Sequence, residues 1–551
     1  MPKVEATRID PITLEILWTR LIAIADETAT ILKRTSFSPT VRESNDYSCV
    51  LFDENGDTVA ENTIGIPSFN GVMSRALKSI LNLFPRQNWR PGDVVITNDP
   101  WIASGHLLDI TCVIPIFYRD KLVGFSGSIA HMADMGGSGW ASDGREVYEE
   151  GICIPPLFLY KEGKPNEDLI RILRGNVRVP DEVLGDVHAQ IAAGRAGAAL
   201  LIELLEENGI ADISPISREI QDKAEQAMRK AVAAIPDGEY RHEMQTDGYD
   251  GEPIELKVKV TVNGDQLVID FTGSSPQIGH AINVPYNYTH AYTCFPVKCA
   301  IDPLTPRNEG SYRPFTVVAP EGSILNPLFP APVNGRHLVG HFLSCVVYGA
   351  LAKAIPDQII ADSGSAPQQY TIFNGTWRGR PYSTVLTICG GMGARPTDDG
   401  LSCTSFPSNV SVGSMEITEA VSPLVVWRKE LLQDSGGAGK YRGGLGQVIE
   451  LEIRGEGPVQ MSLMFDRVDH PASGTAGGAA GGAAHASVNG ELAVSLKGRN
   501  QVGPGDRIRL QYSGGGGFGF ADERQTKLIE KDLLNELISK EAAVNVYQYK
   551  G

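Results

Sequence analysis

GHLLDITCVIPIFYRDKLVGFSGSIAHMAD, residues 105–134, reads as one β-hairpin carrying polar side chains at its open end. Ile110 to Tyr118 and Leu122 to Ala130 are β-rich runs, and only Arg119, Asp120 and Lys121 separate them, the polar insert of a tight reversal. Counting back from a two- or three-residue loop sets Asp109 opposite Ala130 or His131, so carboxylate and imidazole become cross-strand neighbours about 5 Å apart at Cβ. A shared cation can bridge that gap. His106 precedes Asp109 by three residues, and on a regular strand the two would face opposite sides. They converge only if a turn or bulge intervenes, which Ser104 and Gly105 make plausible. With ten histidines and 66 acidic residues, an acidic residue three positions after a histidine is expected roughly once per chain by composition alone. Here it occurs twice, at His106/Asp109 and His131/Asp134, both at the ends of the same hairpin.

Outward from the hairpin, the chain divides into α+β units. Asp10 as N-cap and Pro11 at the first helical position open a helix with Leu14, Leu17, Leu21, Ile24, Ile31 and Leu32 on one stripe, ending before Pro39. A short hairpin follows, Tyr47 to Phe52 returning through Asn55-Gly56 to Thr58 onward, with Asp46 just before its first arm. A helix is expected over Ser74 to Leu83. Pro180 starts a long Ala-rich helix stopped after Glu207 by Asn208 and Gly209, and a second runs from about Ile216 to Ala234. Alternation resumes over Tyr240 to Phe271. The expected organisation is α+β and multidomain, with mixed and antiparallel sheets and a helical hairpin insert. Its parts are an N-terminal α+β domain with the metal site (1–178), the helical hairpin (179–236), a central α+β domain (237–443), a β-rich domain (444–520) and a C-terminal helical tail (521–551).

Composition narrows the function. The chain has 551 residues, 42% of them hydrophobic, enough for several packed cores. Its net charge is −17 and no basic block stands out, which argues against nucleic acid as partner. No apolar run reaches the roughly 18 residues of a membrane span, and MPKVEATRIDP lacks the pattern of a signal peptide, so no membrane partner and a cytoplasmic location are expected. Cys49, Cys112, Cys153, Cys294, Cys299, Cys345, Cys389 and Cys403 follow no framework or CxxC spacing and read as free thiols.

Glycine-rich stretches fail as nucleotide motifs. Gly436 to Lys440 (GGAGK) is followed by Tyr441 where a phosphate loop needs Ser or Thr. Gly514, Gly516 and Gly519 satisfy a literal GxGxxG, but too little chain follows to complete a dinucleotide fold, and a turn packed against the C-terminal helix is the better reading. Gly390, Gly391 and Gly393 read as a tight turn or as close backbone packing. There is no GxSxG elbow, no HExxH helix and no cysteine nucleophile signature. Glu416/Glu419 fit a hydrogen-bonded or solvated role better than acid-base work, and His337/His341, at helical spacing between glycines, fit packing. Metal chemistry remains the main candidate.

The ordered segments NDYSCVLFDENG (from Asn45), GDVVITNDPWIASGHLLDI (from Gly92), AHMADMGG (from Ala130), EEGICIPP (from Glu149) and GKYRGGLG (from Gly439) resemble the hydantoinase B family. The resemblance runs from Asp10 to about Phe520. That family includes second subunits of N-methylhydantoinases and lactamases, the C-terminal half of 5-oxoprolinases, and subunits of acetone and acetophenone carboxylases. It implies a hydantoinase A type partner, an ATPase that binds ATP and phosphorylates the substrate's oxygen, in a hetero-oligomer. This chain would hold the small-molecule substrate and a divalent transition metal, on Asp46, His106, Asp109 and His131 by match to the family's motifs. Asp134 would orient His131 or carry a proton, the one catalytic role assigned. Phosphorylation turns a poor electrophile's oxygen into a leaving group, and a metal on imidazoles and carboxylates can bring a bound water's pKa toward about 7 for attack. Such ligands suit zinc, iron or manganese rather than calcium. The leading expectation is ATP-dependent opening of a hydantoin, 5-oxoproline or lactam ring. A ketone carboxylase subunit, where the cation would steady an enolate, is the alternative, and a non-catalytic partner-binding subunit the third. Two features depart from the family pattern. Phe520-Ala521 stands where relatives often carry Asp-Pro, and Gly474 to Ala484 is unusually low in complexity, so an interface or substrate lid could differ there.

Overall fold

In the computed structural model, which describes residues 9–492 and 495–550, the hairpin is the centre of a seven-stranded sheet. Its strands are β1 (Tyr47–Asp53), β2 (Thr58–Glu61), β3 (Val94–Thr97), β4 (Asp109–Tyr118), β5 (Lys121–His131), β6 (Leu157–Lys161) and β7 (Lys164–Pro165), ordered β2-β1-β5-β4-β3-β6-β7. Tyr118 pairs with Lys121, and both intervening residues have positive φ, Arg119 at 49° and Asp120 at 62°, as a two-residue hairpin turn demands. The register that follows sets Asp109 opposite His131.

Every residue of β1 is buried, because the sheet is covered on both faces. Leu51 packs with Leu14, Leu17 and Leu201 from the helices Pro11–Thr35 and Pro180–Glu207, while Val50 and Phe52 point the other way onto Phe69, Met73 and Leu77 of the helix Pro67–Leu83. Asp10 caps the first helix by accepting from Thr13 N (2.9 Å), with Pro11 in its first turn. Glycine permits the close layers: a Cβ at Gly194 would come within 2.7 Å of Ile114 Cδ1 on β4. The helix expected from Ser74 starts earlier, at Pro67. Gly71 obscures that first turn in the sequence, yet it is where the helix meets Ala291 of the helix Tyr286–Ile301.

A second sheet, β8 (Gly238–Tyr249), β9 (Glu252–Asn263), β10 (Gln266–Asp270) and β11 (Phe315–Val318), is antiparallel apart from the parallel β10–β11 pair. The helices Tyr286–Ile301 and Phe342–Leu351 pack beside it and join it to the first sheet in one core. Two further sheets interleave along the chain. One holds β12 (Gln369–Trp377), β13 (Arg380–Ile388), β16 (Val459–Met464) and β19 (Lys497–Val502); the other holds β14 (Leu424–Leu431), β15 (Gln447–Ile453), β17 (His485–Val488), β18 (Glu491–Leu492) and β20 (Arg507–Gln511). β12 is hydrogen-bonded to β16, so strands on either side of residue 443 share a sheet. The fold is α+β, with mixed and antiparallel sheets.

The glycine-rich stretches form a bundle of extended segments outside any sheet. Successive amides of Gly514, Gly515, Gly516 and Gly517 donate to Gly482 O, Gly444 O, Asp362 O and Ala479 O. The first and fourth reach the same neighbouring segment, a three-residue period that matches the polyproline II helix rather than the two-residue period of a strand. Gly514–Gly517 therefore has neighbours on three sides, and side chains in the bundle would collide: a Cβ on Gly391, Gly443, Gly514 or Gly516 would overlap a neighbour's carbonyl oxygen. GGAGK belongs here, between the strands β14 and β15. So does the low-complexity run, whose Gly477 lies under the Phe520 ring, bringing the two departures together. Arg524 ties the tail to the bundle through Asp399 (2.7 and 2.8 Å) and Asp532 (2.6 Å), and the tail is two short helices, Thr526–Leu534 and Lys540–Asn545. The eight cysteines are free. Among the described residues no helix is long and apolar enough to cross a membrane.

Gly391→Ala is expected to destabilise the fold by about 1–3 kcal/mol or more through overpacking. Gly457→Ala, where a Cβ would meet nothing within 4 Å, is the neutral control, and thermal unfolding of the pair decides it.

Candidate metal centre

The order β1-β5-β4 explains why ligands from three stretches of sequence meet. β5 runs antiparallel to both neighbours, so its C-terminal His131 is flanked by the starts of β1 and β4. His131 N donates to Asp46 O (3.0 Å), and Asp109 is its register partner. His106 arrives from the loop before β4, whose backbone turns at Gly105 (φ +95°), and a Cβ there would also lie 2.8 Å from Arg336 Cδ. This turn brings His106 and Asp109 to the same side.

The resulting donor set is compact and buried. Asp109 Oδ1 lies 2.9 Å from His106 Nε2 and 3.1 Å from His131 Nδ1, and Asp46 Oδ2 lies 3.7 Å from His131 Nδ1. Ligand atoms of His106, Asp109 and His131 all fall within 4.8 Å of one another. The other oxygen of Asp109 accepts from Ser104 Oγ (2.5 Å) and Arg336 Nη2 (2.6 Å), and Arg336 Nε donates to Ser104 O (2.6 Å). Burial opposes ionisation of Asp109, but the buried guanidinium of Arg336 beside it holds its carboxyl well below the usual carboxylate range. Burial pushes Asp46 up to about 6, against the pull of His131.

His106 carries the test of whether a cation fits. Its Nδ1 donates to the Asn334 carbonyl (3.1 Å), which leaves the lone pair on Nε2. Burial, then the charge of Arg336, lowers its pKa to about 4, so the ring is neutral. Nε2 is buried without a hydrogen-bond partner, although a carboxylate oxygen stands 2.9 Å away. Two lone pairs facing each other in a dry interior is an arrangement that a cation between them relieves. Two imidazole nitrogens and carboxylate oxygens suit zinc, iron(II) or manganese(II).

Residues remote in sequence complete the surroundings. Asn334 O also accepts from Trp140 Nε1 (3.0 Å), and Asn334 N (2.9 Å) and Val333 N (2.6 Å) both donate to Glu150 Oε1. Burial pushes Glu150 up to about 8. A small cavity of about 30 Å³, enough for bound water, opens beside the ligands, walled by Trp140, Tyr288, Tyr292 and Tyr370. His337 faces this cavity. His341 is packed and paired, to Tyr288 Oη (3.0 Å) and Gln368 N (3.0 Å), as expected of a structural histidine. Asp134 is not brought to the cavity: its carboxylate accepts from Arg178 N (2.5 Å) and Arg178 Nη1 (2.6 Å), a structural clamp. Glu419 likewise accepts from Val426 N (2.7 Å) on the surface. Arg336, Asn334, Glu150, Trp140 and Tyr370 went unread in the sequence, and Ser104 was read only as part of a turn. Glu150 and Ser104 had a signal, their places in the EEGICIPP and GDVVITNDPWIASGHLLDI segments.

The model of the hydantoinase B/oxoprolinase family matches residues 10–521. The chain belongs to that family. It is 32% identical to a Pseudomonas sp. (strain NS671) chain named for the B component of a D-/L-hydantoinase, over 98% of this chain and 95% of that one. It is 30% identical to the beta subunit of the Pseudomonas jessenii caprolactamase, over 97% and 95%. The 5-oxoprolinase of Dictyostelium discoideum is 30% identical over 95% of this chain, which spans 41% of that longer protein. Among solved structures, the ATP-dependent caprolactamase of Pseudomonas jessenii superposes with a TM-score of 0.91 at 28% identity, covering 98% of this chain and 96% of that one. An acetone carboxylase shares the fold, with a TM-score of 0.89 at 20% identity over 98% and 80%.

Arg336→Ala is expected to weaken zinc or manganese binding about 10–100-fold, with Arg336→Lys recovering only part, as measured by metal titration of the full chain. Glu150 provides a pH test. Folded Glu150 keeps its proton up to about 8 while the unfolded chain releases it near 4.5, so stability falls as pH rises through that window. Glu150→Gln cannot titrate, and the melting-temperature advantage of wild type over it should shrink from about pH 5 to about pH 8.

Proposed function

We propose that this chain is the metal-bearing subunit of an ATP-dependent cyclic-amide hydrolase that opens a hydantoin, 5-oxoproline or lactam ring. The observation that carries the reading is the buried cluster of Asp46, His106, Asp109 and His131 beside a small aromatic cavity, in a chain whose relatives are named for hydantoinase and caprolactamase subunits. Those names speak of subunits, which supports a heteromeric assembly, and the same proposal sets it in the cytoplasm. In it a hydantoinase A type partner binds ATP and phosphorylates the substrate's oxygen. The course of GGAGK, extended between two strands instead of wrapping a helix N-terminus, agrees with ATP being bound elsewhere.

The chain's own residues prepare the site before substrate arrives. Arg336 and Ser104 fix the Asp109 carboxylate, the Asn334 carbonyl fixes the tautomer of His106, and Glu150 fixes Asn334. Trp140 and Tyr370 hold a dry wall in which charges act strongly. A divalent transition metal on the four ligands would supply Lewis acidity and an activated water at neutral pH. Because the donors are already placed, little reorganisation accompanies reaction.

Co-expressed with its ATPase partner, the chain is expected to release phosphate in response to at least one of hydantoin, 5-oxoproline and ε-caprolactam, without bicarbonate. His106→Ala should remove stoichiometric metal and lower ring opening by more than about 100-fold, beyond what outer partners cost. A bicarbonate requirement with a ketone would select a carboxylase instead. Full activity of His106→Ala without bound metal would leave only a partner-binding role.

A further inference from the structure

Outside the proposed metal ligands, His337 is a wall residue of the cavity whose polar atoms packing leaves unpaired. It is 3% exposed, and neither Nδ1 nor Nε2 has a hydrogen-bond partner among the described residues. Its ring is held edge-on by Trp140 (centroids 5.8 Å apart, 63°) and Tyr370 (5.0 Å, 83°), which offer it no polar atom within hydrogen-bond distance. His341, one helical turn on, shows what a structural histidine looks like here, with both nitrogens paired. Trp140 also lies against His131 (centroids 4.6 Å apart, tilted at 49°), so a single indole spans the proposed ligands and His337. An imidazole in such a wall finds its partner only in what enters the cavity.

We propose that His337 binds the substrate directly. It would hydrogen-bond a ring heteroatom of a small cyclic amide lying against Trp140 and Tyr370, so that the ring's reactive carbon faces the cluster of His106, Asp109, His131 and Asp46. Burial and the charge of Arg336 keep the imidazole neutral, so it presents one N–H donor and one lone pair. A cyclic amide carries the complement of both, a carbonyl oxygen and an N–H, whereas a ketone offers only the oxygen. The inference rests on the hydrolase reading and narrows it to ring amides that keep their N–H.

The test uses the metal-loaded chain in complex with its partner. His337→Phe keeps the ring's shape without polar atoms, and His337→Asn restores a donor and an acceptor. For whichever of hydantoin, 5-oxoproline or ε-caprolactam is turned over, His337→Phe should retain metal and melting temperature, raise KM at least about tenfold, and consume more ATP per ring opened. His337→Asn should recover part of that loss. Unchanged KM and kcat in His337→Phe would overturn the proposal in favour of packing, and lost metal would overturn it in favour of a role in the metal site. If the wild-type complex opens none of these rings, the hydrolase reading fails separately. Calorimetric binding of the same three compounds to the metal-loaded chain then decides: at least tenfold weaker binding by His337→Phe supports the inference. Equal binding, or none by wild type, overturns it.

Discussion

The buried ion pair between Arg336 and Asp109 is the contact on which the rest of the site depends. It joins a strand of the first sheet to a loop more than two hundred residues later, and neither side chain has appreciable contact with solvent. Breaking such a pair leaves an uncompensated buried charge, typically at a cost of about 3–5 kcal/mol. Its role is specific as well as energetic. With one carboxylate oxygen held by Arg336 and Ser104, the other has a defined direction, toward both imidazoles. Arg336 is itself held by the Ser104 carbonyl and lies over the Tyr288 ring (4.4 Å), and the same loop supplies Asn334 to His106. One loop from the second half of the chain therefore orients two of the four proposed ligands.

The same dependence on close approach shapes the glycine-rich bundle. There the backbone is the packing surface, and three-residue winding with neighbours on three sides leaves no room for Cβ. What looks in the sequence like low complexity or a nucleotide motif is a steric requirement repeated along several segments. The bundle and the tail are locked by Arg524, which is buried between Asp399 and Asp532, so the charged C-terminal helices are part of the fold.

Much of the local structure was legible. The hairpin register, the capped first helix and the long helix from Pro180 to Glu207 follow from side-chain period and turn chemistry, which act over a few residues. The start of the helix at Pro67 was missed because Gly71 reads as a breaker until Ala291 is seen against it. Strand partners across residue 443 were not legible either, since alternation identifies a strand without naming its neighbour. Within the site, Asp109 and His131 share one hairpin and could be paired by counting, whereas His106 joins them only through the turn at Gly105. Asp46 came only through the family's motif, and Asp134, at the same spacing after His131 as Asp109 after His106, turns instead to Arg178.

By itself the sequence determined most of the secondary elements, the pairing of Asp109 with His131, and the family, because each is written in spacing over short distances or in an ordered set of motifs. The tertiary structure alone decided which groups surround them: Arg336, Asn334, Glu150, Trp140, Tyr370 and an unpaired His337. Those contacts span long separations in the chain, and a hydrogen bond or ion pair between distant residues leaves no periodic trace in either partner's neighbourhood.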